Sequence, residues 1–333
     1  MNPRHRRLLI PGLLIALLVI VVISSLAGKA EGVEGPPGEI STISDPRITE
    51  SSGLAISPDD PDLAYTINDS GNASVLYAVR ISTGRVVGAT TLGVTLVDAE
   101  ALAIDRDRTI WIADTGDNRQ QRTDVALYSL PLPDQGDTVA QGVTRHALTY
   151  PDGPRDVEAL AIDPTSGRML LLTKGLLAGE VYAVPEQAGE GPTTVEAVDA
   201  TVPGVVTDAA FTPDGRYVVA RDYGTAHVLD ATTLEEVVSK DLPKVEQGES
   251  LAVEADGTSY LVGSEGEDSP LIRVLLPDPS EPTPRVSAPV VGQGAVSTDE
   301  PRGGNGFAGA TWFWAGLVVA LLATVCVAAT RKR

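Results

Sequence analysis

Apolar and polar positions along this chain fall into short runs that recur in a fixed order, the signature of strands rather than helices. Five segments share one core: ESSGLAIS from Glu50, DAEALAID from Asp98, DVEALAID from Asp156, VTDAAFTP from Val206 and GESLAVEA from Gly248. Each is followed by turn residues (SPDDPD, DRDR, DPTSGR, TPDGR, EADGT) and a second apolar run: LAYTIND, TIWIADT, RMLLLTK, RYVVARD and SYLVGSE. The Gly, Pro and Asp of those turns supply the backbone angles that tight reversals need. A third run follows in every copy, from Ser74, Asp124, Glu180, Thr225 and Pro270. A fourth, less regular, is visible from Arg85, Val143, Thr193 and Glu235.

Four antiparallel strands per copy, with Leu54, Leu102, Leu160, Ala209 and Leu251 standing 42 to 58 residues apart, is the spacing of β-propeller blades. The sequence therefore predicts an all-β fold, a propeller of five four-stranded blades, with six blades as the alternative. The fifth copy lacks its own fourth strand. Residues Gly38 to Ile48 are expected to supply it, so that an N-terminal strand closes the ring.

The ends differ from this pattern. Leu8 to Ala27 is apolar behind Arg4, Arg6 and Arg7, which suits a signal peptide or a signal-anchor helix within residues 1–30. Phe307 to Thr330 is a second apolar run, with Trp312 and Trp314 near its start and Arg331, Lys332 and Arg333 after it. Interfacial tryptophans and a basic tail predict a transmembrane helix over 307–330 with residues 331–333 cytoplasmic. Residues 278–306 are rich in Pro, Gly and Ser and read as a stalk. The expected arrangement is a propeller over 36–277 held outside the cytoplasmic membrane.

Charge narrows the partners. The 333-residue chain has a formal net charge of −20 although both ends are basic, so the acidity belongs to the propeller and argues against nucleic acid as a partner. The single cysteine, Cys326, lies in the last apolar run, so neither a disulfide framework nor a thiolate metal site is available within one chain. His146 and His227 fall in predicted outer or third strands, away from the mouth, which disfavours a Ser-His-Asp or transition-metal centre.

In a propeller blade the innermost strand starts on one face of the disc and the second strand returns to it. The polar residues at those points should gather at one mouth of the channel: Asp98 and Glu100, Asp156 and Glu158, Asp69, Asp114, Asp117 and Glu249. Crowded carboxylates repel, and they are relieved by taking up protons or by holding cations. Ca2+ accepts six to eight oxygens in flexible geometry, and NDSG from Asn68 and DTGDN from Asp114 provide such oxygens beside glycine turns. Acids that merely cap turns and pair with Arg122, Arg155, Lys174 and Arg221 are the competing reading. Lys174 and Arg221 interrupt the acids on adjacent blades and are candidates to hold an anionic substrate.

ESSGLA, NDSG, DAEALA, DTGDN with Arg122, DVEALA, Lys174 in TK, and SEG from Ser264, in that order, resemble a family of actinobacterial membrane-anchored or secreted propellers of unassigned activity. More distantly the chain is similar to WD40-like, phytase-like and gluconolactonase-type propellers. That resemblance implies Ca2+ among acidic residues around the channel. Their ligand sets do not map onto this sequence position by position. Two functions remain: a membrane-tethered binding module for a cell-envelope ligand or protein, and a metal-dependent hydrolase of phosphoesters or lactones.

Overall fold

The computed structural model describes residues 38–186 and 191–278. The two apolar runs, the stalk and the basic ends predicted above lie outside them. Among the described residues there is no helix, hence none long and apolar enough to cross a membrane.

A short first strand, β1 (Glu39–Ile43), precedes the repeats. The first copy forms β2 (Ser51–Ile56), β3 (Leu63–Asn68), β4 (Val75–Arg80) and β5 (Arg85–Thr91). The second forms β6 (Ala99–Ile104), β7 (Thr109–Asp114), β8 (Ala126–Pro131), the two-residue β9 (Thr138–Val139) and β10 (Thr144–Thr149). The third comprises β11 (Val157–Ile162), β12 (Met169–Thr173), β13 (Ala178–Val184), β14 (Thr193–Thr194) and β15 (Glu196–Pro203). The fourth has β16 (Asp208–Phe211), β17 (Tyr217–Arg221), β18 (Thr225–Asp230) and β19 (Glu236–Asp241). The fifth has β20 (Ser250–Val253), β21 (Ser259–Gly263) and β22 (Ser269–Leu275).

These strands make five sheets, the blades of a five-bladed propeller. Among the described residues no sixth sheet is present. In the fifth sheet β1 takes the outer position, antiparallel to β22, with Ile43 opposite Ser269. Two blades carry one strand more than the sequence suggests: β9 leaves the second copy to pair with β5, and β14 leaves the third to pair with β10. Each is parallel to its partner and lies in the connection between the third and fourth strands of its own copy.

Alternation along the innermost strands packs neighbouring blades together. Successive side chains point to opposite faces of a sheet, so Ala101 packs toward blade three and the adjacent Leu102 toward blade one. Five apolar clusters result, one between each pair of neighbouring blades. One of them joins Ile43, Leu54 and Tyr77 of the chain's start to Leu261 and Leu271 of the fifth blade. Contacts between β2 and β6, β6 and β11, β11 and β16, β16 and β20, and β20 and β2 place the five inner strands around one axis.

At the axis there is little room. Gly53 has φ +69°, and a Cβ there would meet the Leu102 nitrogen at 2.7 Å, so glycine lets β2 approach β6. The inner edge of each first strand has no neighbouring strand, and hydroxyls from the preceding blade satisfy part of it. Ser52 Oγ donates to Glu100 O at 2.8 Å, Thr115 Oγ1 to Val157 O at 2.9 Å, and Thr207 Oγ1 to Gly248 O at 3.1 Å.

Candidate functional site

All five inner strands begin on the same face, and each second strand returns there: Asp69 N–H bonds Glu50 O, Lys174 N–H bonds Asp156 O, and Glu265 N–H bonds Gln247 O. This is the acidic mouth expected from the repeat. Ladder irregularities fall at Glu100, between Ala99 and Ala101, and at Glu158, between Val157 and Ala159. A bulge adds one residue on one strand and turns its side chain, so both glutamates occupy bulge positions at the channel rim. In blade four the ladder runs regularly from Asp208, and no equivalent carboxylate projects at that point.

Asp69, Asp98 and Glu100 offer carboxylate oxygens that all lie within 4.8 Å of one another. Gly116 stands against them; a Cβ there would overlap Glu100 Oε1 and come within 2.7 Å of the Asp98 carboxylate. Glu158 is 2% exposed; its Oε2 accepts from Lys174 Nζ at 2.9 Å, while Oε1 is buried with no hydrogen-bond partner.

The other predicted acids hold the loops. Asp114 accepts the N–H of Val97 and Asp98 and pairs with Arg122 at 2.8 Å. Asp156 accepts the Asp117 N–H at 2.7 Å, and Asp117 in turn accepts the Arg122 N–H at 2.7 Å. Glu249 accepts from Gln247 at 3.1 Å.

Arg221 is not at the surface. It is 1% exposed, and its Nη1 donates to Ser250 O at 3.0 Å and Gly263 O at 3.1 Å, bolting blade four to blade five. Lys174 is nearer the opening, between Glu158 and the ring of Tyr223, whose centroid lies 5.5 Å from Nζ.

Electrostatics follow from this crowding. Burial pushes Asp98 up to about 7, with Asp69 beside it adding to the shift. Glu100 is raised well above the usual range, first by burial and then by Glu158, Asp69 and Asp98. Burial likewise takes Glu158 to about 8 even with Lys174 adjacent, and Glu265 to about 7 with Glu249 contributing. Burial acts to lower Lys174, but Glu158 and Tyr223 outweigh it, so the lysine stays cationic. Several carboxyls of the mouth therefore retain protons near neutrality, the signature of a site short of positive charge.

Tyr223 was not singled out from the sequence. It lies outside the recurring columns, and only the fold sets it beside Lys174. The hydroxyl positions Ser52 and Thr207 were legible, since they occupy the column that holds Glu100 and Glu158 in other copies.

Fold and site together define a class: a five-bladed β-propeller with a carboxylate-rich channel mouth. No family model and no curated protein matches the chain. A solved structure described as a candidate gluconolactonase is similar at 16% identity and a TM-score of 0.42, over 68% of this chain and 74% of that one.

Proposed function

We propose that this propeller is a membrane-tethered, extracytoplasmic binding module whose mouth is organised by a divalent cation, Ca2+ being the best match. The observation that carries the reading is the Asp69, Asp98 and Glu100 set, with oxygens within 4.8 Å of one another. Two oxygens bound to one Ca2+ at 2.3–2.6 Å can stand no more than about 5 Å apart, so these three fit a shared ion. The unpartnered Glu158 Oε1 fits the same shortage of positive charge.

Three carboxylates fill only part of the coordination that Ca2+ takes. The remaining positions suit oxygens of a ligand such as a carboxylate or hydroxyl group of a cell-envelope molecule or protein. Attachment is compatible with this role. β22 runs away from the mouth to Leu275, and β1 begins beside it, where Gly38 O accepts the Arg273 N–H at 2.9 Å. Both connections to the predicted membrane segments therefore leave from the end opposite the carboxylates.

The same open coordination supports a second reading, a metal-dependent hydrolase of lactones or phosphoesters. A bound cation would supply Lewis acidity there. This reading has less support: of the two side chains available for an anionic substrate, Arg221 is spent on carbonyl oxygens and Lys174 on Glu158.

Calorimetric titration of Ca2+ into chelator-stripped residues 38–278 tests the proposal. That piece contains every strand and every interblade cluster found among the described residues, as a folding unit requires. Saturable binding with a raised melting temperature is expected; absence of both removes the cation. Turnover of a lactone or phosphoester panel that depends on Ca2+ would favour the hydrolase.

A further inference from the structure

The channel changes character along its length. Asp208 is fully buried, and its carboxylate accepts the Ala209 N–H at 2.8 Å and, in the neighbouring blade, the Leu251 N–H at 2.7 Å. That second bond ties the inner edges of β16 and β20, and the Leu54 N–H of β2 faces the same carboxylate and acts to lower its pKa. Glu100 and Glu158 lie toward the mouth from this crossing. Two residues further along the same strands stand Leu102 and Leu160, and there the polarity reverses.

Beyond the crossing, a cavity of about 230 Å³ opens on the face opposite the mouth, lined by all five inner strands. Every lining residue except Ser57 is Leu, Ile, Val, Ala, Phe or Pro. Ile56, Ile104, Ala210 and Val253 are only half-buried, so this surface is not a closed core. Alanine recurs at one position of all five copies, as Ala55, Ala103, Ala161, Ala210 and Ala252. Ala55, Ala161 and Ala252 are buried in clusters between neighbouring blades, whereas Ala103 and Ala210 are half-buried among the lining residues.

We propose that this cavity is a binding site for the short alkyl chain of a small neutral molecule, with the polar end of the ligand at the opening. The chemistry follows from the lining. A charged group would lose hydration with no counter-charge on the walls, whereas an apolar chain exchanges water contact for side-chain contact. The size follows from the volume, since an apolar cavity of about 150 Å³ accommodates benzene. This site is independent of the mouth: the Asp208 crossing lies between them, and neither depends on the other's ligand.

The test is a series of linear 1-alkanols from butanol to decanol, titrated by calorimetry into residues 38–278. Affinity should rise about fourfold per methylene and level off when the chain outgrows the cavity. Ala210→Leu and Ala103→Leu, at half-buried positions on different blades, should each weaken octanol binding at least tenfold. Neither should change the Ca2+ titration or the cooperativity of melting, and either variant suffices if the other fails to fold. The proposal is overturned by non-saturable uptake, by equal affinity in both filled variants, or by a concentration-dependent dimer that excludes octanol, which would make the cavity an interface with a second copy.

Discussion

Lys174 Nζ lies 2.9 Å from Glu158 Oε2, and that single contact joins the end of β12 to the bulge of β11 in the same blade. The pair neutralises one oxygen of a buried carboxylate and leaves the other without a partner. Lys174 is thereby a part of the acidic mouth rather than a free cation beside it.

If Asp69, Asp98 and Glu100 share a cation, Glu100→Gln removes one of its charged ligands. Calorimetry should show Ca2+ affinity falling by at least tenfold, about 1.4 kcal/mol. Glu158→Gln should weaken binding less, because Lys174 already balances part of its charge. Unchanged affinity in Glu100→Gln would remove the three-carboxylate site.

Proton uptake should make the cation-free propeller more stable in acid. Asp98 and Glu265 are raised to about 7 and Glu158 to about 8 by burial, against values near 4 in an unfolded chain. The folded state then binds protons more tightly, so this stability is fully present below about pH 4 and is lost as pH rises through 8. Urea unfolding in chelator should give a lower midpoint at pH 8.5 than at pH 5.5, and Ca2+ should reverse the order. A midpoint that rises with pH in chelator would contradict the buried carboxyl cluster.

Arg221 should matter to stability, whatever the ligand. Burial lowers it to about 10, yet Asp208 and Glu249 oppose that shift, and its two carbonyl bonds connect neighbouring blades. Arg221→Ala leaves those buried oxygens unpaired and should cost about 3 kcal/mol or more. Gly248→Ala drives a methyl group into Arg221 Nη2 and should cost about 1–3 kcal/mol. Equilibrium denaturation of each variant gives the values; near-wild-type midpoints would show that the arginine is not a bolt.

Removal of residues 38–43 probes the pairing of β1 with β22. Ile43 is 1% exposed, so its burial alone is worth about 1.5–3 kcal/mol, and the outer edge of β22 would be left open. Truncated protein should melt well below the intact propeller and associate through the bared edge. Unaltered melting would mean that the strand contributes nothing to holding the fifth blade against the first.

The repeat by itself determined the architecture. Five copies of a short apolar run, with turn residues at fixed offsets, admit few solutions other than blades around an axis. Placing Gly38 to Ile48 in the fifth sheet followed from counting strands, because a copy without a fourth strand has an unpaired edge. The gathering of acids at one mouth was equally legible, since strand direction alone sends Asp98, Asp156 and Glu249 to the same face. What linear order could not provide was each acid's partner. Asp98 and Asp114 were both read as metal ligands, yet Asp98 joins Asp69 and Glu100 while Asp114 is held by Arg122 and two backbone N–H groups. Arg221 and Lys174 both end a second strand, but Arg221 turns inward to carbonyls of the next blade. Those differences arise from bulges and interblade contacts between residues far apart in the chain, and they depend on how closely five sheets approach around one axis. The division of the channel into an acidic mouth and an apolar floor has the same origin: Asp208 stands one position out of the repeat register, and only assembly of the ring brings Leu251 and Leu54 to it.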